Sequence, residues 1–326
     1  MKNFFLVTAM LGAIILFVNN IAFADEDPTE GGKWYYLFAD DKYAKYFAPS
    51  TVKVVKKAVT EDGREIPTEL EGWTKTTYSY EGAESTINSY GISSTVSDPN
   101  NLAYSLALIK INPQTRTVQY AKEEFYNKDG EVIWAATEGR VKEINSRSFD
   151  EDFYVAIVDQ VFRHGEGDRK RAKNRWIDLW SSTNANGETV KVTADTTTMQ
   201  LKGTNLILWE WEETKDANGQ AIKIRFMKKA VNLPQGTERI AAGSVWTAEQ
   251  NKWSDLKDDG TYRSIQEDDP DFKGLVRLRA YAQGYSTWVT RYSITGNSTT
   301  VETTTASEKK AEPPAPSNSS QEKTRD

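Results

Sequence analysis

The chain reads as an α+β protein that is mainly β. The expected architecture is an antiparallel sheet meander with a packed C-terminal helix in a first domain, a second similar β-rich domain, and a disordered C-terminal tail. Three observations predict it. Period-two alternation and turn residues recur between Leu102 and Trp134, a strongly apolar segment with helix-end residues follows at Phe149 to Phe162, and the same order of motifs begins again at Arg175.

The meander is the clearest part. Leu102, Tyr104, Leu106 and Leu108 alternate with small residues, so one strand face carries bulk. Asn112-Pro113-Gln114-Thr115 supplies turn chemistry, a second strand runs from Arg116 to Tyr126, and Asn127-Lys128-Asp129-Gly130 turns the chain into Val132-Ile133-Trp134. For the helix, Ser148 stands at capping-box spacing from Glu151, acids at positions 150–152 suit the positive N-terminal end, and Arg163, His164 and Gly165 suit a C-terminus. Phe149, Phe153, Tyr154, Ile157, Val158, Val161 and Phe162 leave a polar stripe only at Asp152 and Asp159, so this face should be buried against the meander.

Ahead of the meander, Lys33 to Phe38 reads as an opening strand, Tyr43, Tyr46 and Phe47 form an aromatic cluster leading into Ala48 to Val54, and Trp73 to Tyr78 is a further strand. The Ser-, Gly- and Asn-rich stretch from Tyr80 to Asn101 reads as a long loop. In the second half Arg175 to Trp180 matches the opening strand, Ala194 to Leu201 matches Ala48 to Val54, and Trp209 falls where Trp73 did. Asp216-Ala217-Asn218-Gly219 closes a hairpin onto Ile222 to Phe226. Leu275 to Ala280 and Ser286 to Ile294 are expected as strands, with no capped helix after them. Such a repeat suggests domain duplication.

At the N-terminus, Lys2, the apolar run Phe4 to Val18 and Ala22-Phe23-Ala24 form an export signal, with cleavage expected between Ala24 and Asp25. The expected organisation is thus signal peptide 1–24, acidic lead-in 25–32, first domain 33–163, basic linker 164–174, second domain 175–294 and disordered tail 295–326, the tail being Thr-, Ser- and Pro-rich with almost nothing apolar. No segment after the signal is apolar enough to be an integral membrane span. Removal of the signal takes away Lys2 and no acid, so 40 of the 41 basic side chains face 47 acidic ones, near −7. That balance argues against nucleic acid as a partner. With no cysteine, disulfides and thiolate metal sites are excluded.

The opening Trp34-Tyr35-Tyr36, the tyrosines before Ser50-Thr51-Val52, Trp73 with Lys75 and Tyr78, Phe125 to Ile133, and Ile144 before Ser148 and the Tyr154 to Val158 segment together resemble the surface-adhesin protein E-like domain of exported bacterial proteins. The resemblance covers roughly residues 33–163, with a weaker second match over 175–296. Two departures stand out: Ser146-Arg147 where compared members tend to carry Pro-Gly, and no Cys near the helix end. The resemblance implies an exported, mostly β domain with a packed helix and a role in surface binding; it assigns no binding residue.

The expected function is an exported, non-catalytic surface or periplasmic binding protein, without catalytic, metal-binding or cofactor-binding residues and without a cofactor, whose partner is a macromolecule or cell-surface polymer. The single histidine, His164, stands at a helix end and cannot supply a hydrolase triad or a His-based zinc site. The acidic stretches Asp255 to Gly260 and Glu267 to Asp271 lack calcium-loop spacing and read as solvated loops. One alternative is a carbohydrate-binding module whose aromatics stack on sugars, with Trp209 and Trp211 on one sheet face. Another is a secreted carboxylate-based hydrolase.

Overall fold

Alternation of large apolar with polar or small residues on long strands produces two antiparallel sheets, each with helix on one face. The computed structural model describes residues 33–163 and 174–303. The signal and lead-in at 1–32, the linker residues 164–173 with His164, and tail residues 304–326 lie outside the described residues.

The first sheet is built from β1 (Tyr35–Ala39), β2 (Tyr43–Phe47), β3 (Lys53–Thr60), β4 (Glu65–Tyr78), β5 (Tyr104–Asn112), β6 (Thr117–Tyr126), β7 (Val132–Thr137) and the two-residue β8 (Lys142–Glu143). Its main order is β1-β2-β4-β5-β6-β7, with β3 on β4 and β8 on β6. The expected meander is β5-β6-β7. Its first turn is held by Asn112 Oδ1 accepting from the Thr115 N–H, and its second by Asn127 Oδ1 accepting from the N–H groups of Asp129 and Glu131, with Gly130 at φ 81°.

Two local expectations are corrected. The stretch after Tyr78 is not a loop throughout: α1 (Tyr80–Tyr90) forms there, its first turn capped by Ser79 accepting from the Gly82 N–H. Ala83 and Ile87 pack with Ile92, Val96, Leu102 and Phe125, and the Tyr90 ring at the end of α1 meets Phe125 at 5.1 Å. Gly82 is required, since a Cβ there would stand 2.1 Å from the Lys42 carbonyl oxygen. Nor does Ser148 cap the second helix. α2 (Glu151–Phe162) starts after Asp150, while Ser148 Oγ accepts from the Asn145 N–H one turn earlier. The Glu151 carboxylate is engaged by arginines instead of closing a capping box. α2 ends at Arg163, which takes the left-handed conformation at φ 49°.

The apolar face of α2 is buried as expected. Phe153, Tyr154, Ile157 and Val158 join Leu70, Ile109, Ile111, Val118 and Ile144 in one core, whereas Phe149, just ahead of the helix, and Val155 on its other side stay exposed. Gly72 lets α2 press onto β4, because Ile157 Cδ1 lies 3.0 Å from where its Cβ would be.

The second sheet contains β9 (Trp176–Thr183), β10 (Thr189–Lys202), β11 (Asn205–Lys215), β12 (Ala221–Asn232), β13 (Thr237–Thr247), β14 (Lys252–Leu256) and β15 (Arg263–Ser264), in the order β9-β10-β11-β12-β13-β14 with β15 on β13. Here the expected late strands are corrected: Leu275 to Ala280 lie in one helix, and Ser286–Val289 form a second, short one. α3 (Pro270–Gly284) is capped by Asp269, which accepts from the Asp271 N–H, with Pro270 in the first turn; the short α4 (Ser286–Val289) follows. Leu275 and Leu278 bury against Leu179, Leu206, Leu208 and Val231. The i, i+3 spacing of Leu275 and Leu278 is helical, and the alternation at Leu275, Arg277 and Arg279 imitates a strand.

The tail boundary also changes. β16 (Ser298–Glu302) returns to the first sheet and pairs antiparallel with β3, so ordered structure passes Thr295. Just before it, Tyr292 enters the core of the first sheet, where its ring meets Phe162 at 4.9 Å. None of the helices among the described residues is long and apolar enough to cross a membrane.

Candidate functional site

Each sheet has an inner face under its helices and an outer face. On the first sheet the outer face is set by register. Tyr36, Tyr46, Lys75, Leu106 and Glu124 stand directly opposite one another across β1, β2, β4, β5 and β6. A parallel row holds Trp73, Leu108 and Lys122, and Tyr104 faces Tyr126 with rings stacked at 4.8 Å and 5°. Five strands at the usual ~4.8 Å spacing make the row about 19 Å wide. Ala48, Trp73, Leu106 and Tyr126 are buried among themselves, Trp34, Tyr104 and Leu108. This second, thinner core has no helix over it among the described residues, and Tyr36 at 55 % exposure opens it to solvent.

The charges on this face divide into two kinds. Lys53 pairs with Glu71 at 3.5 Å and Lys122 with Glu124 at 2.8 Å, and Tyr126 donates to Glu124 as well. Burial works against the Glu124 carboxylate, but these two hydrogen bonds hold its carboxyl below the usual range. Lys75 and Lys110 have no carboxylate within ion-pair distance among the described residues. The Lys75 ammonium sits 4.7 Å from the Tyr104 ring centroid, and partial burial lowers its pKa.

The corresponding face of the second sheet carries Trp209, Trp211, Phe226 and Trp253, and it is already occupied. Arg147, from the loop before α2, places its guanidinium 4.1 Å from the Trp253 ring, 5.6 Å from Phe226 and 6.0 Å from Trp211. Lys228 on the same strand as Phe226 bonds Glu143 of β8 at 2.8 Å. Trp209 is buried and stacked on Phe226 at 4.5 Å. The expectation that Trp209 and Trp211 share a face holds, but Trp209 has no free ring face for a sugar.

The seam between the sheets is stitched by long polar side chains. Glu151 receives Arg175 at 2.6 Å and Arg116 at 3.3 Å; Arg175 also binds the fully buried Asp195, and Arg116 donates to the Thr197 carbonyl. Gln200 donates to the Pro113 carbonyl at 2.9 Å. Beside this seam lies a groove of about 460 Å³ lined by residues that include Gln114, Gln200, Lys202, Tyr292 and Ile294.

Two buried carboxyls are pushed up to about 7, mainly by burial. Glu123 accepts from the Tyr90 hydroxyl, and Glu210 lies 2.8 Å from Lys229, which also binds Glu238. Of the acidic stretches, Asp269 caps α3, Asp271 accepts from Trp180 Nε1, and Arg263 binds both; Asp258 turns its own loop by accepting from the Gly260 N–H. They serve local structure. Sequence reasoning missed the outer face of the first sheet, although the alternation of Trp73, Lys75 and of Tyr104, Leu106, Leu108 could have placed those residues on one side.

Compared with family models, curated proteins and solved structures, the chain matches none.

Proposed function

We propose that this is an exported, non-catalytic binding protein, built from two copies of a surface-adhesin protein E-like domain and engaging a macromolecule or cell-surface polymer through the outer face of its first sheet. The observation that carries the reading is the contrast between two equivalent faces: one closed by Arg147, the other left open with exposed Tyr36 and unpaired Lys75 and Lys110. Export rests on the sequence of residues 1–24.

Duplication is supported by a shared backbone device. Thr51 donates to the Ala48 carbonyl and accepts from the Trp73 N–H; Thr198 donates to the Asp195 carbonyl and accepts from the Trp209 N–H. The indole N–H groups of Trp73 and Trp209 are both buried without an acceptor. A shared imperfection argues for common origin more strongly than a shared solution, because folding does not demand it. The Ile144 N–H donates to the Arg116 carbonyl and the Ile265 N–H to the Gly236 carbonyl, each fixing the segment between a short strand and the helix that follows. α1 is then an insertion in the first copy, where the second has only the Asp216–Gly219 turn. The non-catalytic reading is supported by the placement of Glu123 and Glu210, each held by a partner under a helix.

The mature protein should begin at Asp25 by mass spectrometry and bind at least one class on an array of glycans, wall polymers and matrix proteins. Tyr36→Ala with Lys110→Gln should weaken that binding without changing the melting temperature. An unchanged array profile would refute this face as the site, and turnover of an arrayed polymer would refute the non-catalytic reading.

A further inference from the structure

The chemistry of the open face narrows its ligand. In a chain with formal net charge −6, the central strands of this face carry two cations in excess, since Lys53 and Lys122 are neutralised by Glu71 and Glu124. Lys75 faces Leu106 and Lys110 faces Glu71, which is itself turned to Lys53. The two free lysines therefore stand on neighbouring strands four residues out of step, roughly 14 Å apart from a rise of ~3.4 Å per residue and one strand spacing. Between them lie Trp73 and Leu108, and beside them Tyr104, Tyr46 and the exposed ring of Tyr36. The cavities of the described residues include a seam groove and a small space among Glu210, Lys229 and Glu238, neither of which is on this face. Two free lysines spaced along one sheet face suit a repeating polymer whose acid groups recur along one chain.

Resting on the binding reading above, we propose that the ligand is an acidic polysaccharide, its carboxylates meeting Lys75 and Lys110 and a sugar face lying on the exposed ring of Tyr36 beside them. Tyr36 is the ring that can still offer a face. Because Lys75 is partly withdrawn from water, its pairing is less screened by salt than that of a fully exposed lysine, and binding should persist at moderate ionic strength.

The test uses the full mature chain titrated calorimetrically with polygalacturonate, alginate and hyaluronate, with fully methyl-esterified polygalacturonate, poly-aspartate and single-stranded DNA alongside. At least one polyuronate should bind, and Lys75→Gln with Lys110→Gln should weaken it about tenfold, as expected from two partly screened ion pairs. Lys110→Gln alone, at a half-buried residue outside any ion pair among the described residues, should give several-fold weakening even if the Lys75 variant folds poorly. Lys191→Gln, the same charge change on the second sheet, should leave affinity unchanged. Equal binding of esterified and free polygalacturonate, or equal binding of poly-aspartate or DNA, overturns the proposal. If none of the polyuronates binds while neutral glycans or matrix proteins bind in a Tyr36-dependent manner, the acidic chemistry falls and the binding reading stands. If nothing on the wider array depends on this face, both fall.

Discussion

Glu123 gives a perturbation whose sign and size follow from its surroundings. It projects from β6 to the inner face, 7 % exposed, beneath the end of α1, and the Tyr90 hydroxyl lies 2.9 and 3.0 Å from its two oxygens. One proton cannot fully satisfy both. The other groups facing it are Tyr78 of β4, Tyr120 of β6, Lys142 of β8 and Asp150 ahead of α2; Tyr120 itself donates to Asp150, and Lys142 lies 3.8 Å from the same carboxylate. Burial is the largest influence and raises Glu123 from 4.5 to about 7; the Tyr90 hydrogen bond and Lys142 oppose it, and Asp150 adds to it. A carboxyl raised in the folded state binds its proton more tightly there than in the unfolded chain. Its contribution is therefore fully present below about pH 4.5 and is lost as pH rises towards 7, by roughly 3 kcal/mol at ~1.4 kcal/mol per pH unit. Glu123→Gln should leave stability near pH 4 almost unchanged and raise it by up to about 3 kcal/mol at pH 8. Urea unfolding of both proteins at half-unit steps from pH 4 to 8.5 measures this, and the difference between the curves removes the contribution of Glu210, which both retain. Parallel curves would show that Glu123 ionises as an ordinary solvated acid and that α1 does not seal it.

Phe153→Ala, at a ring only 1 % exposed, should cost about 3–5 kcal/mol in chemical unfolding; an unchanged transition would remove α2 from the core. Thr51→Val and Thr198→Val should each cost about 1–3 kcal/mol, because each leaves a Trp backbone N–H buried without its acceptor. Equal losses from the two, measured by thermal unfolding, would agree with duplication, whereas a loss from only one would count against it.

Strand pattern was legible where side chains alternate between a buried face and another face, as in β5 and β6, and where Asn and Gly fix turns. Helices were legible in proportion to their apolar content. α2 has seven large apolar side chains and was found, but α1 anchors itself through only Ala83, Ile87 and Tyr90, and its Ser, Gly, Asn and Thr positions imitate a loop. α3 was mistaken for strand because its charged and apolar residues alternate locally, although Asp269-Pro270 is a strong helix start. Ser148 was a credible cap by spacing, yet Glu151 is drawn to Arg116 and Arg175, and Arg175 lies across the seam in sequence far beyond any local window. The candidate site was hidden for the same reason. Its residues come from five strands, and which of two aromatic faces stays open depends on one arginine from a distant loop.

That arginine is Arg147, between β8 and α2, and its side chain lies over Trp253, Phe226 and Trp211. A glycine there could not reach the rings. Cation–π contact with several aromatics is favourable by about 0.5–2 kcal/mol, and burial of the guanidinium, which lowers its pKa, is offset by those rings. Arg147 therefore ties the loop before α2 to the second sheet, with Lys228 to Glu143 and Arg175 to Glu151 as further ties. On the duplication and binding face proposed above, two copies joined in this way would not act as independent sites on a flexible tether, and affinity would come from contacts along the face of Tyr36, Lys75 and Lys110 rather than from effective-concentration gains.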